Sequence, residues 1–130
     1  MKLHVSQTML ANPLVELPCA AGTAYKIGQA LLVANDVASL ATGATKPEYI
    51  CQAEKTGAVG ETIQAIAVLP GEIYEAALSE AGSSLKVGDK VTIATDGIRV
   101  TATTASGVAK IVEFAKGTKA TGDTVLIKFD

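Results

Sequence analysis

The residues able to carry chemistry in this chain are few, and their spacing brings none of them together. His4 is the single histidine. A nucleophile–imidazole–acid arrangement needs a fixed imidazole beside a serine or cysteine, and His4 lies in a stretch with no clear periodicity to fix it. Cys19 and Cys51 form no Cys-x-x-Cys motif and have no histidine nearby. They read as small buried thiols, and their spacing alone implies no bridge. The carboxylates Asp36, Glu61, Asp89, Asp96 and Asp123 each sit in turn-like sequence, where a short acidic side chain has a structural use. Nothing singles out two of them as the paired acid and base of a glycosidase. Zinc-type clusters of His and Cys and the alternating oxygen donors of a calcium loop are both missing. The glycines spell neither a dinucleotide fingerprint nor a P-loop. The expectation is a protein that is not an enzyme, with no metal and no cofactor.

The same glycines and acids have another meaning as positioning devices. A short pattern recurs: Ile27-Gly28-Gln29-Ala30-Leu31, Val59-Gly60-Glu61-Thr62-Ile63, Val87-Gly88-Asp89-Lys90-Val91 and Thr121-Gly122-Asp123-Thr124-Val125. Glycine takes the positive φ that other residues avoid, and a following acid or amide can bind nearby backbone N–H groups. Each copy predicts a tight turn feeding a strand, so Gly28, Gly60, Gly88, Asp89, Gly122 and Asp123 are assigned as turn formers. The irregular spacing argues for repeated turn chemistry rather than a solenoid.

Strands are predicted at 31–35 and 37–41 around Asn35-Asp36, at 49–53, 62–69, 91–94, 98–101, 107–114 and 124–129. The run Thr62–Leu69 carries apolar residues in both phases, which predicts a strand covered on both faces. Asp96 and Gly97 between two strand-like runs predict a hairpin, with a type I′ turn requiring positive φ at both residues. Glu72–Ala81 is rich in helix formers and stops at Gly82, so it reads as one short helix near 72–81 or, over Ile73–Leu78, as another strand. The predicted architecture is all-β: a small barrel or sandwich of about eight short strands.

Residues 1–18 differ from the rest. They contain no glycine, carry Pro13 and Pro18, and show no clean period. This piece is expected to be an extended N-terminal arm or an edge segment, with residues 19–130 forming a single β domain. Gln7, Thr8, Asn12 and Glu16 interrupt any signal-peptide core. Apolar groups are nonetheless frequent in the segment, and Leu3, Val5, Met9, Leu10, Leu14 and Val15 are candidates for contact with a partner.

Composition narrows the partners. The chain of 130 residues is 48% hydrophobic, yet has no tryptophan, two phenylalanines and three tyrosines. Its core must be aliphatic, and β-branched residues with frequent threonine favour strands. With a formal charge of −2 and one arginine, the chain is not expected to bind nucleic acid, whose affinity rests on Lys and Arg contacts to phosphate. No uninterrupted apolar run is long enough to span a membrane.

From Gly22 onward, the order of features resembles the head-decoration, or capsid cement, proteins of tailed bacteriophages. The likeness runs through Gly22-Thr23-Ala24, Tyr25-Lys26-Ile27-Gly28, Leu31–Val33, Ala41-Thr42-Gly43-Ala44 and Pro47-Glu48-Tyr49-Ile50. It continues with Gly60–Ile66, Leu85–Val91 and Gly107–Glu113, and closes on Gly122–Phe129. The resemblance implies a compact β-fold bound to the major capsid protein on the capsid exterior of the virion, a homotrimer on the capsid, and an N-terminal segment that helps grip the shell. It also implies synthesis in the cytoplasm of a host bacterium. A non-catalytic β-module of another phage assembly, such as a tail or fibre component, is the alternative.

Overall fold

A computed structural model describes residues 1–5 and 13–129. Among these the protein is all-β, with twelve strands and no helix. The first sheet has the order β1-β9-β12-β11-β10. It is built from β1 (Lys2–Val5), β9 (Ile73–Ala77), β12 (Thr124–Lys128), β11 (Ala109–Phe114) and β10 (Lys90–Val91). The second has the order β2-β8-β6-β4-β5, built from β2 (Leu14–Pro18), β8 (Thr62–Ala67), β6 (Tyr49–Cys51), β4 (Ala30–Ala34) and β5 (Val37–Leu40). A two-stranded ribbon pairs β3 (Ala24–Tyr25) with β7 (Lys55–Thr56). All strand pairs are antiparallel. The sheets pack in a sandwich-like manner and do not close into a barrel, although a parallel bridge from Cys19 to Ala38 brings the ends of the second sheet together.

Two apolar cores result. The first contains Tyr74, Ile111, Val125 and Ile127 of the first sheet with Ala30 and Ile50 of the second. The other gathers Leu17, Tyr25, Leu31, Ala38, Ile63 and Ala65, together with Cys19 and Cys51. β8 serves both: Ile63 and Ala65 lie in one core while Ile66 packs against the other. That double role is the reason for its apolar residues in both phases. Both cysteines are buried and unbridged, and burial raises the pKa of the Cys51 thiol.

Of the two readings left open for 72–81, the strand holds: β9 occupies Ile73–Ala77, and no helix forms among the described residues. The residues are good helix formers, but Tyr74 and Ala76 are buried while Ile73, Glu75 and Ala77 are only half-buried. That is a period of two. β1 and β12 satisfy the backbone of β9 from both sides, and such pairing overrides a weak local propensity. The strand count also exceeds the expected eight, because β1, β2 and β9 and the two-residue strands β3 and β7 fall outside the eight predicted runs. The run at 98–101 keeps only isolated bridges from Val100 to Ile93 and Leu78.

The turn at Asp96-Gly97 differs from the type I′ expectation. Gly97 has φ +72, but Asp96 does not have positive φ. Gly97 N–H bonds to Ala94 C=O at 2.9 Å, and Ala94 N–H bonds to Arg99 C=O at 2.8 Å. Asp96 stabilises the bend through Oδ1, which accepts from the N–H groups of Ile98 and Arg99 at 2.9 and 3.1 Å. The type I′ turn is instead at Asn35-Asp36, with φ values of 53 and 63 between the paired residues Ala34 and Val37. Asn and Asp are the non-glycine residues that tolerate this region best. At Gly97 a Cβ would lie 3.2 Å from Leu40 Cδ2. Gly97→Val should therefore cost about 1–3 kcal/mol through strained backbone, read as a lower melting temperature. An unchanged melting curve would show that the φ at this position is not restrictive.

Candidate functional site

The recurrent turns are where the side chains with chemical potential go. In Lys26–Gln29, Ala58–Glu61, Lys86–Asp89 and Ala120–Asp123 the fourth N–H bonds to the first C=O at 3.0–3.2 Å. Gly28, Gly60, Gly88 and Gly122 hold the third position with φ between 83 and 97, the type II pattern. The turns are fastened a second time. Gln29 Oε1 accepts from Lys26 N–H at 2.9 Å, Asp89 Oδ2 from Lys86 N–H at 2.9 Å, and Asp123 Oδ2 from Ala120 N–H at 2.8 Å. Glu61 instead faces Lys55 Nζ at 3.6 Å. A further copy, Leu69-Pro70-Gly71-Glu72, was not recognised as part of the series. Its Glu72 Oε1 accepts from Leu69 N–H at 2.9 Å, and Pro-Gly at the two central positions was the available signal. Glu72 is buried, and the Tyr74 hydroxyl donates to the same oxygen at 3.2 Å.

These bonds give Glu72, Asp89, Asp96 and Asp123 a structural use in their turns. Burial alone would raise the pKa of Asp96, but the Ile98 and Arg99 N–H groups and the Arg99 guanidinium, at 2.6 Å, outweigh it and hold the carboxyl below its ordinary range. Asp123 is also lowered, chiefly by the Thr118 hydroxyl and then by Ala120 N–H. A general acid at neutral pH needs the opposite shift. His4 lies beside Glu75, its Nδ1 3.1 Å from Oε1, with Lys2 Nζ 3.7 Å from the other oxygen. Neither cysteine belongs to this cluster. Among the described residues, no three His, Cys, Asp or Glu side chains are grouped to hold a metal ion.

The candidate contact residues fare unequally. Residues 2–5 and 14–18 form β1 and β2, an edge strand of each sheet. Leu3 is half-buried against the first core, and Val15 packs against the second. Val5 pairs with Ile73 through the backbone of β1. Met9 and Leu10 lie outside the described residues. Leu14 faces solvent, at 61% exposure. Among the described residues β2 pairs with β8 along one side, and on its other side its C-terminal end approaches β5 through the bridge from Cys19 to Ala38, so Leu14 stands at the far end of the strand from that bridge. Sequence reasoning did not single out Ile27, Val59 and Val87, which are also exposed. Each occupies the second position of a repeated turn, where the chain protrudes and no core is within reach.

No family model matches the chain, and no characterised protein matches it in sequence.

Proposed function

We propose that this chain is a head-decoration protein of a tailed bacteriophage, binding the major capsid protein on the outside of the assembled shell as a homotrimer and bracing it. The observation that carries the reading is the exposed Leu14 at the start of β2, an edge strand that among the described residues is ladder-paired with β8 alone and bridged to β5 just beyond its far end, at Cys19. The ordered features from Gly22 to Phe129 that resemble that family support it. An exposed sheet edge can take up one strand of a partner, with backbone hydrogen bonds supplying affinity and alternate side chains supplying register. Many such weak contacts, repeated over a shell, act together through avidity. No chemical step is required.

The test is sedimentation and imaging of undecorated shells, assembled from a major capsid protein encoded in the same genome as this chain, after mixing with the purified chain. Wild-type protein should decorate them at regular positions, and cross-linking on the shell should give a three-fold species. Leu14→Asp should melt within about 0.5 kcal/mol of wild type, because the residue is exposed, while occupancy falls roughly tenfold, the loss expected from about 1.4 kcal/mol of binding energy. Shells left bare by wild-type protein would end this reading. Attachment to tails instead would favour a tail or fibre component.

A further inference from the structure

Lys90, Lys110 and Lys128 stand directly opposite one another on three adjacent strands, Lys90 paired with Lys110 and Lys110 with Lys128. Their neighbours Val91, Ala109, Ile111 and Ile127 are buried, so the strand alternation turns all three ammonium groups to the outer face of the first sheet. Like charges directly opposite across a sheet destabilise it. Among the described residues no carboxylate lies within ion-pair reach of Lys90 or Lys110. Glu75, the acid on the neighbouring strand, faces Lys2 and His4. The facing pair Lys90 and Lys110 breaks that rule with no ion pair among the described residues to offset it, which marks a candidate functional surface.

A groove of about 400 Å³ lies against this row, rimmed by Lys110 and Lys128 and walled by Ile73, Val112 and the exposed Val87. Two glycine turns, at 69–72 and 86–89, bound it. We propose that this groove docks an extended, acidic segment of a partner protein, in which carboxylates face the lysine row and an aliphatic side chain between them enters the groove. Charge complementarity selects the acidic partner, and the aliphatic wall selects a peptide over a polyphosphate. No aromatic ring lines the groove for a base to stack on, and the single arginine, Arg99, is tied to Asp96. The inference does not rest on shell binding, and its test needs no shell.

The experiment is fluorescence anisotropy of the full chain with three fluorescein-labelled probes: a peptide alternating glutamate and valine, its lysine–valine counterpart, and an oligothymidylate. Saturable binding of the acidic peptide alone is expected, weakening about tenfold between roughly 50 and 300 mM salt as screening rises. Lys90→Gln with Lys110→Gln should weaken it by about tenfold or more. The same pair relieves like-charge repulsion and should melt no lower than wild type, so a lost fold cannot imitate lost binding. Lys90→Arg with Lys110→Arg retains the charge and should retain the affinity. No saturable binding, equal binding of both peptides, or undiminished affinity in the glutamine pair would overturn the proposal. So would tighter binding of the oligothymidylate, which would assign the row to nucleic acid.

Discussion

Gly107→Ala is expected to destabilise the protein by about 3 kcal/mol or more, toward the severe end for adding one methyl group. Gly107 leads into β11, and a Cβ placed on it would lie 2.1 Å from the carbonyl oxygen of Lys90 and 2.6 Å from the nitrogen of Val91. Those atoms are backbone, so no rotamer change can yield. β10 would have to retreat, and its pairing with Lys110 and Ala109 would go with it. For a domain of this size the loss corresponds to a fall of roughly 10–15 °C in melting temperature. Gly60→Ala is the control. Gly60 has φ +83 but open space where a Cβ would sit, so only the backbone cost of about 1 kcal/mol applies. Thermal melts that ranked the two variants equally would show that β10 accommodates the methyl group.

Tyr25→Phe is expected to cost about 2–3 kcal/mol despite removing a single oxygen. Tyr25 is fully buried in the second core. Its hydroxyl donates to Ala38 C=O and accepts from Ala20 N–H, both at 2.8 Å. One atom thus ties the ribbon strand β3 to the edge strand β5 and to the segment that leaves β2. Phenylalanine would preserve the packing but leave that carbonyl and that N–H without their partner, and an unpaired buried polar group is costly. Chemical denaturation should show the loss with little change in the denaturant slope, because the surface exposed on unfolding is nearly unaltered. Tyr49→Phe, at a half-buried tyrosine of the same core, should change stability by less than about 0.5 kcal/mol. A Tyr25→Phe protein as stable as wild type would mean that water replaces the hydroxyl.

Local chemistry was readable wherever it acts locally. The Gly-Asp turns announce themselves because positive φ and a side chain that reaches back three residues are both short-range requirements, and Gly28, Gly88 and Gly122 meet them as written in the chain. β8, β11 and β12 were visible for a similar reason: their β-branched residues carry the pattern within one strand. Asn35-Asp36 was legible only as a bend, since its two positive φ values follow from the pairing of β4 with β5 on either side.

Whatever depended on distant partners had to wait for the tertiary structure. Glu72–Ala81 favours a helix by composition, and only the backbones of β1 and β12, supplied from the two ends of the chain, make it a strand. Leu3, Leu14 and Val15 look alike in sequence as apolar candidates for contact. Sheet pairing and strand alternation half-bury Leu3 and Val15 and leave Leu14 to solvent. The lysine row is the plainest case. Lys90, Lys110 and Lys128 are about twenty residues apart and carry no common motif, yet the antiparallel register aligns them at the roughly 5 Å spacing of neighbouring strands. A sequence states which charges exist; the register of a sheet decides which of them must face each other.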